Sequence, residues 1–365
     1  MKKTLFPFAI LILLFSSLHA QEYSFTFDGT ERTYRVFVPE EYVPGELHPM
    51  VINMHGLGSS AIEQQIYSGF DFIADTAGIV MVYPNGVDNT WNVFSSGGTD
   101  DVGFLSALLD TMAANYDIDL ARVYATGMSM GGFMSYRLAC QLEDRITAVA
   151  SVTGLLVFSP CEPSRPVPVL QMHGTADQVV PYVGVQFTID HWTNHNTCPP
   201  DSVVVDLPDT DTTDQTTVTL TTYSPCDDSS EVLLYTINGG EHTWPGATLS
   251  IGVTNYDING SAEIWNFFRK YTLDEFTGIR PLSIAQERLI IKPMPVTGTS
   301  LVEVPGGYTH DNILRLYDLS GKLMREEHHG LTGEIVFTKD NLKSGLYILE
   351  VASGDKVYRE KVLVY

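Results

Sequence analysis

The chain has 365 residues, long for one domain, and 44 acidic against 21 basic residues give it a formal net charge of −23. Such a surface repels phosphate backbones and anionic membranes, which argues against a nucleic-acid partner and favours a neutral polymer over a strongly anionic one. At the start, Met1-Lys2-Lys3 supplies positive charge and Leu5 to Phe15 an apolar run of secretory rather than membrane-spanning length. This predicts an export signal over residues 1–20, cleaved after Ala20, with no lipoprotein cysteine behind it. No later run is apolar and long enough to predict a transmembrane segment.

From Tyr23 to about Tyr271 strand-like and helix-like patterns alternate, which predicts an α/β domain with a parallel sheet covered on both faces. Met50 to Met54 reads as an apolar strand, and His55-Gly56-Leu57-Gly58 follows it. Phe104, Leu105, Leu108, Leu109 and Met112 mark a helix, with Asp100 and Asp101 placed to cap it or to hold the preceding loop. Arg122 to Ala125 reads as a short strand. Gly127-Met128-Ser129-Met130-Gly131 then fits G-x-S-x-G, and Phe133, Met134, Leu138 and Leu142 recur at helical spacing behind it. Strand, sharp turn and helix are the setting of a nucleophile elbow. A serine at the apex of such a turn leaves no room for side chains beside it, and the helix aims its positive end at any anion forming there. A glycine-rich turn that merely contains a serine is the plainer alternative, and only the residues downstream weigh against it.

Val167 to Met172 reads as a buried strand ending in His173-Gly174-Thr175-Ala176-Asp177. Val232 to Ile237 reads as another, and the loop behind it carries Glu241-His242-Thr243-Trp244-Pro245-Gly246. The chain order serine, acid, histidine is the one that an α/β-hydrolase sheet requires, so Ser129, Asp177 and His242 are the candidate nucleophile, acid and base. A serine hydroxyl is a weak nucleophile until a neutral imidazole takes its proton, and a carboxylate fixes that imidazole's tautomer. The backbone N–H groups of Leu57 and Met130 are the candidate oxyanion donors. His55 and His173 are read as structural histidines at strand ends. Trp91 and Trp244 lie in loops at the same ends of the strands, where they could wall a substrate site or simply pack. Ile264, Trp265, Phe267 and Phe268 mark the last helix, with Ser261 as its expected cap.

Two features suggest metals and are assigned plainer roles. His191 and His195 lie four apart, but no third ligand is evident, and a helix surface with two histidines is favoured. The run Asp206 to Thr217 holds Asp209, Asp211 and Asp214 but lacks the glycine and glutamate of a calcium loop, so it reads as a solvated hairpin tip. No metal and no cofactor is expected.

His55-Gly56, Gly127 to Gly132, His173 to Asp177 and the string His242-Thr243-Trp244-Pro245-Gly246 resemble secreted polyhydroxybutyrate-depolymerase-like and feruloyl-esterase-like hydrolases, the group containing carbohydrate esterase family 1. Tyr83-Pro84-Asn85-Gly86 through Trp91-Asn92, and Asp100 to Phe104, share the likeness, which runs from about Tyr34 to Tyr271. The resemblance implies an extracellular serine esterase acting on an ester-bearing polysaccharide, with feruloyl or acetyl groups ahead, or on a polyester. A binding protein that keeps the fold without catalysis, and a purely structural surface protein, are the more remote alternatives.

Four cysteines in an exported chain predict two disulfides, and the sequence permits three pairings. The nearest-neighbour choice is Cys140–Cys161 and Cys198–Cys226. After Gly278 the pattern changes to short strands without helices, which predicts a small β-sandwich-like domain. Leu316 to Lys322, Leu342 to Ile348 and the closing Lys361 to Tyr365 resemble the C-terminal sorting domain of type IX secretion, although Lys292-Pro293-Met294-Pro295 replaces its usual tyrosine-proline-asparagine-proline opening. A carbohydrate-binding module is the rival, and the absence of tryptophan from the tail disfavours it. The expected organisation is a signal at 1–20, an esterase domain at 21–277, a linker at 278–290 and a sorting domain at 291–365, with the product secreted or held at the cell surface by the secretion machinery.

Overall fold

The computed structural model describes residues 21–94, 97–273, 289–292, 296–304, 312–318, 322–329, 335–343, 345–353 and 356–364. The expected export signal, most of the linker and the Lys292 to Pro295 opening apart from Lys292 lie outside them. The chain divides into two compact units, one ending at Thr277 and the other beginning at Gly278.

Among the described residues of the first unit, one sheet contains β1 (Gln21–Phe27), β2 (Thr30–Phe37), β3 (His48–Met54), β4 (Val80–Pro84), β5 (Ile118–Met128), β6 (Ala148–Val152), β7 (Val169–Gly174), β8 (Val203–Asp206), β9 (Thr217–Tyr223) and β10 (Val232–Asn238). Their order is β1-β2-β4-β3-β5-β6-β7-β10-β9-β8. The six from β4 to β10 run parallel, and antiparallel pairs flank them. The parallel strands are buried on both faces, which is why β3, β4, β6 and β7 are buried along their whole length and read as largely apolar runs, broken by buried polar residues such as Asn53, Ser151, Gln171 and His173, rather than as alternating ones.

Side chains alternate between two cores. Met50, Ile52 and Val82 join one with α3 (Asp101–Asn115), α4 (Met130–Gln141) and α5 (Val185–His195). Val51, Met81 and Leu170 join the other with α1 (Ala61–Ser68), α2 (Phe70–Ala77) and α6 (Gly260–Phe268). The α/β-hydrolase arrangement follows: β4 lies on one side of β3 and β5 on the other, so the crossovers reverse direction there. A crevice opens at the carboxyl ends of neighbouring strands at such a switch point.

One local expectation changes, while the segment between β8 and β9 is the exposed hairpin tip expected. The cap of α6 is Asn259, whose side chain accepts from Ala262 N at 3.0 Å; Ser261 is buried and donates to Ser68 O at 2.7 Å. The aspartates between β8 and β9 accept hydrogen bonds from nearby backbone: Asp211 from Thr213 N, Asp214 from Thr216 N and Tyr256 N. Both disulfides form as Cys140–Cys161 and Cys198–Cys226. No helix of the described residues is long and apolar enough to cross a membrane.

The second unit is antiparallel. One sheet has the order β11 (Ile290–Lys292), β12 (Thr299–Glu303), β15 (Ile335–Thr338); the other β14 (Leu323–His329), β13 (Asn312–Tyr317), β16 (Gly345–Ser353), β17 (Lys356–Val364). Val302, Ile335 and Phe337 from the first meet Leu314, Leu316, Leu349, Val351 and Val362 from the second in one core. Period-two burial along β13 and β16 produces that shared face.

Candidate active site

Ser129 sits between β5 and α4 with φ 54° and ψ −119°, a backbone region that non-glycine residues rarely hold. The surrounding glycines permit it. A Cβ on Gly131 would lie 2.0 Å from the Met54 carbonyl oxygen, and one on Gly127 would lie 2.5 Å from the Gly131 carbonyl carbon. The end of β3 therefore passes directly against the turn. Ser129 N donates to Val152 O at 2.8 Å, which ties the apex to β6. Met130 is the first residue of α4, so its N–H has no acceptor within the helix.

The loops behind β7 and β10 touch. A Cβ on Gly174 would meet Gly240 O at 2.2 Å, and Ala176 N donates to Gly240 O at 2.9 Å. This contact brings Asp177 and His242 together, with His242 Nδ1 2.7 Å from Asp177 Oδ2. The other carboxylate oxygen accepts from Val179 N and Val180 N, both at 2.8 Å. Burial by itself would raise the Asp177 carboxyl; the hydrogen bonds from His242 and the two amides outweigh it and hold the group below its ordinary value. Asp177 is thus an anion with both oxygens engaged, and its partner imidazole keeps a solvent-facing edge, 16% exposed. Ser129 Oγ makes no hydrogen bond to His242 among the described residues; contacts of this kind commonly close only with substrate bound.

The loop behind β3 lies alongside Ser129: a Cβ on Gly56 would stand 3.4 Å from Ser129 Cβ. Leu57 N makes no backbone hydrogen bond among the described residues, and the Leu57 side chain is exposed. One segment braces both this loop and Met130. Gly86 N donates to His55 Nε2 at 3.0 Å, Trp91 Nε1 to His55 O at 3.0 Å, and Gly58 N to Asn89 O at 2.8 Å. Thr90 Oγ1 and Trp91 N donate to the Met130 thioether at 3.1 and 3.3 Å.

The aromatic-wall expectation for Trp91 and Trp244 is corrected: they are 2% and 0% exposed. Trp91 fastens the His55 loop from beneath. Trp244 belongs to the core against α2 and α6, donating from Nε1 to Ser261 Oγ at 3.2 Å, and so anchors the loop that carries His242. A tryptophan whose N–H finds a buried acceptor packs as core, and neither ring offers a face to a ligand.

His55 and His173 are buried, each engaged at both ring nitrogens. Burial pushes both imidazoles below their ordinary value. Asp100 caps α3, accepting from Gly103 N at 2.9 Å. Asp101 forms a buried ion pair with Arg32 at 2.7 Å and accepts from Asn92 N at 2.7 Å, which holds the bracing segment. Arg32 escapes a sequence reading because nothing local in β2 marks it; its partner lies 69 residues on. His191 and His195 stack in parallel on α5, His195 at 3.0 Å from Arg165 O. Among the described residues no group of three or more metal-ligating side chains occurs.

A family model described as "Putative esterase" matches residues 26–198, and one described as "Secretion system C-terminal sorting domain" matches residues 291–365. The bifunctional acetylxylan esterase/xylanase XynS20E of Neocallimastix patriciarum is 30% identical over 252 residues, 67% of this chain and 34% of that protein, so the chain spans about a third of its length. "Putative esterase NocK" of Nocardia uniformis subsp. tsuyamanensis is 31% identical over 260 residues, 60% of this chain and 72% of that one. Feruloyl esterase C of Emericella nidulans is 28% identical over 178 residues, 47% and 64% of the two chains. Among solved structures, acetyl xylan esterase from Aspergillus awamori superimposes with a TM-score of 0.52 at 15% identity, covering 68% of this chain and 99% of that one; it shares the fold.

Proposed function

Because the chain belongs to the esterase family and ends in a secretion-system sorting domain, we propose that it is an exported serine hydrolase of carboxylic esters, working through a covalent acyl-enzyme on feruloyl or acetyl esters of plant cell-wall polysaccharide. The observation that carries the reading is the 2.7 Å hydrogen bond from His242 to the buried Asp177 carboxylate, at the same sheet edge as the strained Ser129 turn. His242 Nε2 takes the Ser129 proton as Oγ attacks the ester carbonyl. The N–H groups of Leu57 and Met130 receive the oxyanion, aided by the positive end of α4. Protonated His242 then gives its proton to the departing alcohol, and water repeats the sequence to release the acid. Asp177 holds the Nδ1–H tautomer throughout and stabilises the imidazolium.

The names of the relatives support the substrate class. A second reading, a polyester depolymerase, is favoured by exposed apolar side chains at the same edge: Leu57 in the loop behind β3, Val179 and Val183 in the segment behind β7, and Phe187 in the first turn of α5. Such a rim suits adhesion to a water-insoluble surface.

Hydrolysis of methyl ferulate, p-nitrophenyl acetate and suspended polyhydroxybutyrate by the exported chain separates these readings, with Ser129→Ala alongside. The expected result is turnover of the first two that falls by several powers of ten in Ser129→Ala and by about 10⁴-fold in Asp177→Asn. Release of hydroxybutyrate without ferulate turnover would transfer the assignment to polyester. Near-normal activity in Ser129→Ala, or failure of a fluorophosphonate probe to label Ser129, would remove the enzyme reading and leave a binding protein.

A further inference from the structure

Behind the Asp177–His242 pair runs a line of buried polar side chains that the reaction itself does not use: Tyr136 on α4, then Gln171 and His173 on β7, none more than 1% exposed. Their hydrogen bonds admit one arrangement. Gln171 Nε2 lies 2.9 Å from Gly154 O and 3.3 Å from Met172 O, and since both are acceptors this corner of the amide is the NH₂. Gln171 Oε1 therefore faces Tyr136, whose hydroxyl donates to it at 2.6 Å. The same NH₂ stands 3.0 Å from His173 Nδ1, which must accept, so the His173 proton is on Nε2. That N–H donates to Val180 O at 2.7 Å and stands 3.5 Å from Asp177 Oδ2, the oxygen that receives His242. Val180 in turn donates its own N–H to Asp177 Oδ1 at 2.8 Å. His173 thus grips Val180 by its carbonyl while Val180 grips the carboxylate by its amide.

We propose that His173 is a positioning residue for the acid of the relay, fixing the Asp177 carboxylate against His242 through Val180, with Tyr136 and Gln171 locking the imidazole in its Nε2–H tautomer. The proposal rests on the serine-esterase reading and adds a residue to it. The exclusion of His173 from solvent means that it touches no substrate; its effect reaches catalysis only through Asp177. A residue that merely stabilised the fold would lower the melting temperature without coupling to the carboxylate.

The test is a double-mutant cycle on kcat for p-nitrophenyl acetate, using the exported chain with His173→Phe, Asp177→Asn and both together. His173→Phe should lower kcat on the order of tenfold, the scale of losing one neutral hydrogen bond at the acid, with KM unchanged. His173→Gln, whose amide nitrogen reaches the place of ring Nε2, should recover most of that loss. In the Asp177→Asn background His173→Phe should cost nothing further. The same factor in both backgrounds, or an unchanged kcat in His173→Phe, overturns the proposal while leaving the esterase reading intact. Full activity in Asp177→Asn alone would instead overturn the reading beneath it. Should His173→Phe fail to fold, Tyr136→Phe takes its place in the cycle. It removes one hydroxyl that orients Gln171, and is expected to act in the same direction and to lose its effect beside Asp177→Asn.

Discussion

Ser129 holds a backbone conformation that costs on the order of 1–3 kcal/mol, and the residues around it make that conformation the one available. The strain is tolerated because Gly127 and Gly131 let β3 and α4 close on the turn, with the Met54 carbonyl where a Gly131 side chain would stand. Gly131→Ala should therefore destabilise the chain by about 1–3 kcal/mol and suppress ester hydrolysis, because the clash is with backbone and no rotamer relieves it. Gly97, with open space at its Cβ position, is the control: Gly97→Ala should stay within about 0.5 kcal/mol. Calorimetric melting and p-nitrophenyl acetate turnover read both. Buried ionisable groups predict the response to acid. His55 and His173 lie below the ordinary 6.5, so the unfolded chain binds protons there that the folded chain refuses. Their contribution is present above about pH 6.5 and lost as pH falls below it. Asp177, held below 3.8, loses its contribution only further down. The urea midpoint should fall between pH 7.5 and 5, then again below about pH 4; a midpoint that rises over the first interval contradicts this.

Among the elements, the segment from Gly86 to Trp91 and the two disulfides each govern more than their own backbone. The segment holds the His55 loop on one side and the Met130 thioether on the other, so both expected oxyanion donors depend on one turn. Within it Asp88 and Asn89 take left-handed backbone angles, φ 51° and 56°, which suits asparagine and aspartate better than other side chains. The Cys140–Cys161 bridge joins the last turn of α4 to the approach to β7, linking the helix behind Ser129 with the strand that leads to Asp177. Replacing both cysteines by serine should cost on the order of 3 kcal/mol, from a closed loop of 21 residues. Urea unfolding of the double variant measures it, and a midpoint equal to that of the parent would show the bridge to be without effect. β8 presents Val203, Val204 and Val205 to solvent at the sheet edge, an arrangement that the neighbouring Asp206 tempers with charge.

At the scale of the whole molecule, Ser129, Asp177, His242 and every bracing residue named above belong to the unit that ends at Thr277, as do both of its cores. Residues 21–277 produced alone should hydrolyse p-nitrophenyl acetate at the rate of the full chain, since the second unit has a core of its own. A truncated chain that folds but is inactive would assign the tail a part in the site. Its family match makes export the expected loss when residues 291–365 are removed, read as the enzyme remaining with the cells.

The residues themselves marked the elbow, the order serine, acid, histidine, and the change from helix-and-strand to strand-only pattern after Gly278, because each rests on local spacing: a glycine two places either side of Ser129, period-3.6 and period-2 apolar repeats, and turns at strand ends. The nearest-neighbour disulfides, one of the three pairings the sequence permits, are the pair the structure forms. What tertiary structure alone decided are contacts between distant segments. Trp91 and Trp244 turn inward because buried acceptors, His55 O and Ser261 Oγ, wait 36 and 17 residues away. Arg32 meets Asp101 across 69 residues, and Gly174 is needed because the His242 loop passes 2.2 Å from where its Cβ would be. Ser261 lies where a cap is expected, but the core took its hydroxyl and Asn259 took the cap. A side chain's type limits what it can do locally, whereas which neighbour removes it from water depends on how the sheet brings distant loops to one edge.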